Sequence, residues 1–264
     1  MSKGLTQEQV EALADQVDTA ARRNETIPML TAAVPEMTLH DAYRIQRASM
    51  LRRYRRDERL IGMKMGLTSL AKMRQMGVHE PIYGHLTSTM RLADGGQIIH
   101  SAHIHPRVEP EVAFILGHDL RGPVTPSEAM QAVSGVCVAL EVLDSRYRDF
   151  KFTLIDVVAD NASSCKIVLG STLLPPATID VSNLGMLLER NGRIEELGSS
   201  AAIYEHPARS LAELANMIST FGEWLHAGQI ILAGGATRAI AVEPGDHVRV
   251  LVEGLGTAEL FVRG

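Results

Sequence analysis

Apolar residues near the amino terminus recur at helical spacing. Thr6 and Gln9 form a capping-box pattern. Apolar positions then follow at intervals of three or four residues at Val10, Leu13, Ala14, Val17 and Ala21. A second start signal at Thr38 opens a similar run that ends near Leu51. The pattern therefore predicts two helices and a helical N-terminal region over residues 1–58.

After residue 59 the apolar pattern changes to short runs that are typical of strands. Residues 105–116 and 133–144 are two predicted strands, and the carboxy-terminal part after residue 229 contains four more. Helices and strands follow one another without a regular βαβ order, which predicts an α+β fold with a mixed sheet. We expect residues 59–264 to form a mixed β-sheet catalytic core. The alternative is one domain that also includes the helical region.

Composition narrows the class of protein. The chain has 264 residues and a formal net charge of −5, which argues against a dedicated nucleic-acid binder. No apolar run approaches the roughly 20 residues that a membrane span needs, and the amino terminus lacks a signal-peptide pattern. The two cysteines, Cys137 and Cys165, lie in apolar surroundings and are expected to be free thiols. We therefore expect a cytoplasmic protein without nucleic-acid or membrane partners.

Two glutamates on a predicted strand, Glu109 and Glu111, are separated by one residue and so share a face. A third, Glu141, is embedded in an apolar run. Unit charges 4 Å apart repel by about 4 kcal/mol at an effective dielectric near 20, and lost hydration adds to this cost. A hard divalent cation bound by all three would remove both penalties. The alternative is a solvent-facing acidic row. Pro110 predicts that this strand is an edge or irregular strand, because proline cannot donate to a ladder.

Three further segments could contribute to a site. Lys64, between two methionines, is either an ammonium with a lowered pKa, usable as an acid or base, or a lysine on an exposed strand face. Residues 160–164 suit a turn that faces a ligand, or an ordinary loop. Gly234 and Gly235, followed by Thr237, would let the backbone approach an anion, and a plain turn is the alternative.

Five segments carry a family resemblance that covers nearly the whole chain. They are Met63-Lys-Met-Gly-Leu-Thr-Ser69, His105-Pro-Arg-Val-Glu-Pro-Glu111, Glu141-Val-Leu-Asp-Ser-Arg146, Val158-Ala-Asp-Asn-Ala-Ser-Ser164 and Pro244-Gly-Asp246. Together and in this order they resemble the hydratase/decarboxylase family of aromatic meta-cleavage pathways, within the fumarylacetoacetate hydrolase superfamily. The resemblance implies the mixed β-core of that superfamily with a helical N-terminal region.

The resemblance also implies roles for individual residues. Mg²⁺ or Mn²⁺ is expected to be bound by Glu109, Glu111 and Glu141, and Lys64 is expected to be the catalytic acid or base, or an anchor for a substrate carboxylate. The predicted substrate contacts are Leu67, Ser69, Asp160, Ser163 and Thr237. The expected assembly is a homo-oligomer, and association with the pathway hydratase is a further expectation.

Two activities share these motifs. One is the decarboxylation of 2-oxohex-3-enedioate (4-oxalocrotonate) to 2-hydroxypenta-2,4-dienoate, and the other is the hydration of that dienoate. Gly77-Val-His-Glu-Pro-Ile-Tyr-Gly84 and Asp149-Phe-Lys-Phe152 resemble the decarboxylase branch. Ile82 stands where the hydratase pattern has an aspartate, whereas His79 departs from both branches. We therefore expect a metal-dependent carboxy-lyase, with the hydratase and a non-catalytic partner subunit of the hydratase as alternatives.

Overall fold

The helices of the chain are concentrated at its amino terminus. A computed structural model describes residues 4–69, 73 and 80–264. The described helices are α1 (Gln7–Arg23), α2 (Leu30–Ala33), α3 (Leu39–Tyr54), α4 (Pro126–Gln131), α5 (Leu154–Ala159) and α6 (Pro207–Ser219). Capping boxes at Thr6 and Thr38 start α1 and α3, so the predicted helical N-terminal region is confirmed. No described helix combines the length and apolarity needed to cross a membrane.

The strands form two sheets. They are β1 (Leu60–Gly66), β2 (Ile82–Thr87), β3 (Arg91–Leu92), β4 (Gly96–Ile99), β5 (Arg107–Leu116), β6 (Val133–Leu143), β7 (Ser164–Leu169), β8 (Gly185–Arg190), β9 (Arg193–Ser199), β10 (Ile230–Gly235), β11 (Ile240–Ala241), β12 (His247–Val252) and β13 (Gly256–Arg263). The larger sheet has the order β2-β1-β10-β5-β6-β7-β3, and β11 pairs with β5. The smaller sheet has the order β4-β13-β12-β8-β9. Both parallel and antiparallel pairs occur, as predicted.

The larger sheet curls so that its two edges approach each other. Asn161, which lies just before β7, accepts a hydrogen bond from the backbone N–H of His85 in β2 (2.7 Å) and donates one to its carbonyl (2.9 Å). The inner face of the curl holds an apolar cluster: Leu86, Met90, Ala113, Cys137, Ala139, Ile167, Ile230 and Leu232. Lys64 is in register with Leu232, and Glu111 is in register with Ala139. Both charged side chains therefore lie on the inner face as well.

The outer face of the curl is covered by the other layers of the fold. The rings of Tyr43 in α3 and Tyr83 in β2 are stacked with centroids 4.5 Å apart, which fixes the N-terminal helices against β1 and β2. The smaller sheet contributes Val248 and Leu260 to the same buried cluster as Leu140 of β6. One continuous core thus joins the helical region to both sheets. The division into residues 1–58 and 59–264 stays a prediction.

The position of Pro110 agrees with one of its two expected alternatives, an edge strand or an irregular strand. β5 is not an edge, because it lies in the interior of the larger sheet between β10 and β6, but it is irregular. The register between β10 and β5 shifts between Leu232 and Gly235, so the ladder is interrupted beside Pro110. This irregularity accommodates a residue that has no N–H to donate. Beyond it, the Ala236 N–H donates to the Pro110 carbonyl (3.1 Å).

The sequence also predicts a short helix from Ser69 to Met76, which falls mostly outside the described residues, as do residues 77–79 with His79. Within it, the Met73 N–H donates to the Ser69 carbonyl (2.8 Å), which is the spacing of an α-helix.

Candidate active site

The three glutamates converge on the inner face of the curl. Glu109 and Glu141 are direct partners across β5 and β6, and Glu111 leaves β5 on the same side as Glu109. One carboxylate oxygen from each residue lies within 4.8 Å of the others. The convergence predicted from the sequence is therefore confirmed, whereas binding of a metal stays a prediction.

The electrostatics of this cluster suit a cation. Burial raises the pKa of Glu111 well above its ordinary value, and the charges of Glu141 and Glu109 raise it further. Burial also raises the pKa of Glu141, although Lys64 opposes the shift. Oε1 of Glu111 and Oε1 of Glu141 are buried and have no hydrogen-bond partner among the described residues. Buried oxygens left without partners normally carry a penalty, and carboxylate oxygens are the preferred ligands of hard divalent cations. The residues present therefore fit Mg²⁺ or Mn²⁺.

Lys64 is the counterion of the cluster. Its side chain is buried, and Nζ donates to Oε2 of Glu141 at 3.0 Å. Burial alone would lower the pKa of Lys64, but the charges of Glu141, Glu109 and Glu111 outweigh burial and raise it. Neither alternative drawn from the sequence was right, because the lysine is not on an exposed face and its pKa is not lowered. It is a buried, protonated ammonium.

Two consecutive glycines at the end of β10 allow the close approach of the glutamates. The Gly234 N–H donates to Oε2 of Glu111 at 2.6 Å. A Cβ at Gly235 would lie 2.4 Å from Oε2 of Glu109, and a Cβ at Gly234 would lie 2.1 Å from the Thr68 hydroxyl oxygen. Gly234 also has φ +112°, which side chains rarely allow. The glycine pair approaches the protein's own carboxylates, and its approach to a bound anion stays a prediction.

A cavity of about 150 Å³ opens beside the cluster. Its described lining consists of Lys64, Gly66, Leu67, Thr68, Ser69, Ile82, Glu109, Leu143, Phe150, Phe152, Val157, Ala162, Ser163 and Gly235. The predicted substrate contacts Leu67, Ser69 and Ser163 are part of this lining, although their contact with a substrate stays a prediction. One end of the cavity is thus charged, and the opposite wall is apolar.

Ser163 is presented to the cavity by a strained turn. Asn161, Ala162 and Ser163 have φ values of +51°, +52° and +57°. Such conformations cost about 1–3 kcal/mol each for residues other than glycine. The two hydrogen bonds between Asn161 and His85 hold the turn against β2. The Ser163 hydroxyl is buried and has no hydrogen-bond partner in the part of the chain that the structure describes, so it is available to a group in the cavity.

Two other predicted substrate contacts, Asp160 and Thr237, are absent from the described lining of the cavity, and their contact with a substrate stays a prediction. Asp160 forms a buried ion pair with Arg146 and also accepts the Arg146 backbone N–H (3.1 Å). Burial raises the pKa of Asp160 to about 6, although Arg146 opposes the shift. The Thr237 hydroxyl donates to the Arg238 carbonyl (2.9 Å). Asp160 thus supports the turn that carries Ser163, because its charge is already paired.

Sequence reasoning missed most of the apolar wall. Leu143, Val157 and Ala162 line the cavity without any chemical signature in the sequence. Phe150 and Phe152 were noted only as part of a motif, and their place in the wall depends on the turn that brings residues 148–152 over the end of β5. The apolar wall is therefore a property of the fold rather than of a local pattern.

The sequence model of a known family matches most of the chain. The matched family is described as fumarylacetoacetate (FAA) hydrolase C-terminal, and the match covers residues 67–263. The chain belongs to the fumarylacetoacetate hydrolase family. The superfamily and the fold expected from the five motifs are therefore confirmed.

Individual family members give a finer comparison. A 4-oxalocrotonate decarboxylase from Pseudomonas sp is 47% identical over 255 residues, covering 97% of this chain and 98% of the relative. A 2-hydroxyhexa-2,4-dienoate hydratase from Comamonas testosteroni is 36% identical over 254 residues, covering 95% and 96%. The solved structure of 4-oxalocrotonate decarboxylase from Pseudomonas putida G7, complexed with magnesium and adipate, matches with a TM-score of 0.95, 42% identity and 98% coverage of both chains. The predicted resemblance to the decarboxylase branch is thereby confirmed.

Proposed function

We propose that the chain is a divalent-metal-dependent carboxy-lyase that converts 2-oxohex-3-enedioate (4-oxalocrotonate) to 2-hydroxypenta-2,4-dienoate in aromatic meta-cleavage catabolism. The observation that carries the proposal is the convergence of three carboxylates beside a buried ammonium at one end of a cavity with an apolar wall. The relatives named 4-oxalocrotonate decarboxylase support the choice of reaction.

Charge balance supports a divalent cation as cofactor. Glu109, Glu111 and Glu141 carry three negative charges when ionised, and Lys64 neutralises only one of them. Burial and the neighbouring glutamates raise the pKa of Glu111 well above its ordinary value, so ionising all three carboxylates without a cation is unfavourable. Mg²⁺ or Mn²⁺ would be held by the three carboxylates. When bound, the cation supplies Lewis-acid stabilisation of the negative charge that develops on the C2 oxygen of the substrate.

The reaction shifts three electron pairs along the substrate. The C5–C6 bond breaks and its electrons form a C4=C5 double bond, while C6 leaves as CO₂. The C3=C4 pair moves to C2=C3, and the C2 carbonyl pair moves onto its oxygen, which gives the dienolate of the product. A proton on that oxygen then yields 2-hydroxypenta-2,4-dienoate. The substrate thus needs its C1 and C2 oxygens at the charged end of the cavity.

Lys64 contributes positive charge where the reaction needs it. Because its pKa is raised, the side chain is an ammonium, which can donate a hydrogen bond to a substrate oxygen or deliver a proton. Glu141 fixes the position of Nζ through the hydrogen bond of 3.0 Å. A preorganised donor of this kind stabilises developing negative charge without reorganisation during the reaction.

The apolar wall suits the loss of CO₂. Ile82, Phe150, Phe152 and Val157 face the cavity. Neutral CO₂ and a delocalised dienolate lose little solvation beside such groups, so the wall can accept both products of the bond cleavage. The same wall limits the access of water to the dienolate.

The alternative function is 2-hydroxypenta-2,4-dienoate hydratase. The similarity to hydratases supports it, because the two reactions would use the same charged end of the cavity. A hydratase must also position a water molecule. The hydratase pattern has an aspartate at position 82, whereas this chain has an isoleucine there, and that side chain lies in the cavity wall. A non-catalytic subunit of the hydratase is the third alternative. The proposal also includes a homo-oligomer that associates with the pathway hydratase.

A rate comparison tests the proposal. The purified chain is assayed with Mg²⁺ and with Mn²⁺ for CO₂ release from 2-oxohex-3-enedioate, and for hydration of 2-hydroxypenta-2,4-dienoate. We expect CO₂ release to be much faster than hydration and to stop after treatment with EDTA. Faster hydration would establish the hydratase, and the absence of both activities in a folded protein would leave the non-catalytic role.

A further inference from the structure

Arg107 is a neighbour of two residues that line the cavity, Leu143 and Phe150. It is two residues before Glu109 on β5, so the two side chains leave the strand on the same side. Across the ladder Arg107 pairs with Leu143, which lines the cavity. Because two residues of a strand span about 7 Å, Arg107 lies beyond the charged end of the cavity and close to its apolar wall.

The guanidinium of Arg107 has an aromatic neighbour. Its Cζ lies 4.0 Å from the centroid of the Phe150 ring, and the side chain is half-buried. Among the described residues it has no ion-pair partner. A planar guanidinium held against a ring keeps its N–H groups in one orientation, and this geometry suits a carboxylate.

Phe150 is a fixed support for this guanidinium. Its backbone is left-handed, with φ +56°, and that of Asp149 is left-handed too, with φ +58°. The Phe150 ring also packs against His105 (5.1 Å between centroids) and Phe152 (5.5 Å). A bulky residue in this backbone region persists only where its surroundings determine it.

We propose that Arg107, supported by the Phe150 ring, binds the distal carboxylate of a dicarboxylic substrate whose other end lies at Glu109, Glu111 and Glu141. The assignment rests on the proposed function, because it takes the glutamate cluster as the site of the 2-oxo acid end. The terminal carboxyl carbons of an extended six-carbon chain are about 6 Å apart, which is comparable with the separation of Arg107 and Glu109 along β5. Arg107 would thus distinguish diacids from monoacids of equal length.

The position also sets what Arg107 does during the reaction. The distal carboxylate loses its charge when it leaves as CO₂, so an ion pair with Arg107 is stronger in the bound substrate than in the transition state. Interactions of this kind contribute to substrate binding rather than to the chemical step. Arg107 is therefore a specificity-determining residue, and its removal should raise KM without lowering kcat.

Binding of two matched acids tests the assignment. Adipate and hexanoate have the same chain length and differ by one carboxylate. Isothermal titration calorimetry with the Mg²⁺-loaded protein measures both, for the unaltered chain, Arg107→Met and Arg121→Met. Arg121 is a matched control, because its guanidinium also lies over a ring, that of Trp224 at 3.6 Å, and it is not part of the described cavity lining.

We expect the unaltered chain and Arg121→Met to bind adipate at least about tenfold more tightly than hexanoate. This ratio corresponds to the lower limit of the free energy of a hydrogen bond between charged groups. Arg107→Met should bind the two acids equally, with its affinity for hexanoate unchanged. Arg107→Lys keeps the charge without the planar fork, and it should retain part of the preference.

Three results would overturn the assignment. In the first, Arg107→Met still prefers adipate. In the second, that variant loses the same affinity for both acids. In the third, the unaltered chain shows no preference. Steady-state kinetics give a separate measurement, and a fall in kcat with an unchanged KM would also contradict it. A chain that prefers adipate through Arg107 but releases no CO₂ would refute the proposed reaction and leave this assignment standing.

Discussion

Glu109 and Glu141 stand directly opposite each other on β5 and β6. Like charges at opposed positions of an antiparallel ladder destabilise a sheet, and Glu141 is fully buried. Lys64 compensates one of the charges through its hydrogen bond to Glu141. The rest of the repulsion is the physical reason to expect a cation at this point, and the predictions below follow from it.

Glu109→Gln should abolish metal-dependent turnover without unfolding the protein. Glu109 is the least buried of the three glutamates, so its replacement by a neutral amide disturbs the core least. In the unaltered chain Mg²⁺ should raise Tm, because a ligand that binds only the native state stabilises it. In the variant this increase should be lost. The measurement is thermal unfolding with and without Mg²⁺, together with CO₂ release. An unchanged response to Mg²⁺ in Glu109→Gln would exclude that residue as a ligand.

Lys64→Met should lower kcat by about 10²–10⁴-fold, the usual contribution of a positioned acid or base. The variant also leaves Glu141 without its buried partner, and breaking such a pair costs about 3–5 kcal/mol of stability. Stopped assays below the Tm of the variant separate the two effects, with far-UV circular dichroism as the control for folding. A folded Lys64→Met protein with the kcat of the unaltered chain would remove the lysine from the mechanism.

Gly235→Ala should weaken Mg²⁺ binding more than it lowers stability. The added Cβ would lie 2.4 Å from Oε2 of Glu109, so the carboxylate must move away from its partners. Gly185→Ala is the matched control, because its Cβ would meet only Glu253, at 3.4 Å, far from the site in sequence and on the smaller sheet. Calorimetric titration with Mg²⁺ measures both variants. Equal affinities in Gly235→Ala and Gly185→Ala would contradict the close-approach argument.

His85 should make the protein less stable in weakly acidic solution. Burial, and to a smaller degree the charge of Arg47, lower the pKa of His85 to about 4, against an opposing contribution from Asn161. The pKa of this histidine in the unfolded chain is about 6.5. At pH values between these two pKa values, the imidazole is protonated in the unfolded chain and neutral in the folded chain. The contribution of His85 to stability is therefore complete above pH 6.5 and is lost as the pH falls toward 4.

The test of this pH dependence is a comparison of variants, because other groups titrate in the same range. The free energy of unfolding in urea is measured at pH 7 and pH 5 for the unaltered chain, His85→Gln and His118→Gln. His85→Gln should reduce the loss of stability between the two pH values by about 2 kcal/mol. His118 is exposed, so its replacement should leave that loss unchanged. Similar pH profiles for all three proteins would refute the prediction.

The sequence predicted those parts of the structure that local chemistry determines. Alternation along a strand placed Glu109 and Glu111 on one face, and the capping boxes at Thr6 and Thr38 started their helices as expected. The local pattern did not predict features that depend on segments distant in the chain. The interruption of the ladder beside Pro110 comes from β10, which is more than one hundred residues away in the chain. The raised pKa of Lys64 depends on carboxylates from two other strands.

Asp160 illustrates the same limit. The polar stretch 160–164 suggested a ligand-facing turn, and Ser163 does line the cavity. The carboxylate of Asp160 instead pairs with Arg146, and nothing in the local pattern distinguishes these two outcomes. The apolar wall could not be predicted for a similar reason, because the same apolar residue types fill a core and line a cavity.

The apolar cluster inside the curled sheet determines how molecules can enter and leave. Ala139, Ile167 and Leu232 are fully buried, so they close the interior immediately behind Glu141 and Lys64. Among the described residues these side chains leave no path through the sheet at that point, so we expect the cavity to be filled and emptied from the end that faces away from them. Under the proposed reaction CO₂ and the dienoate would therefore depart through the same opening by which the diacid arrived, past Arg107 and Phe150.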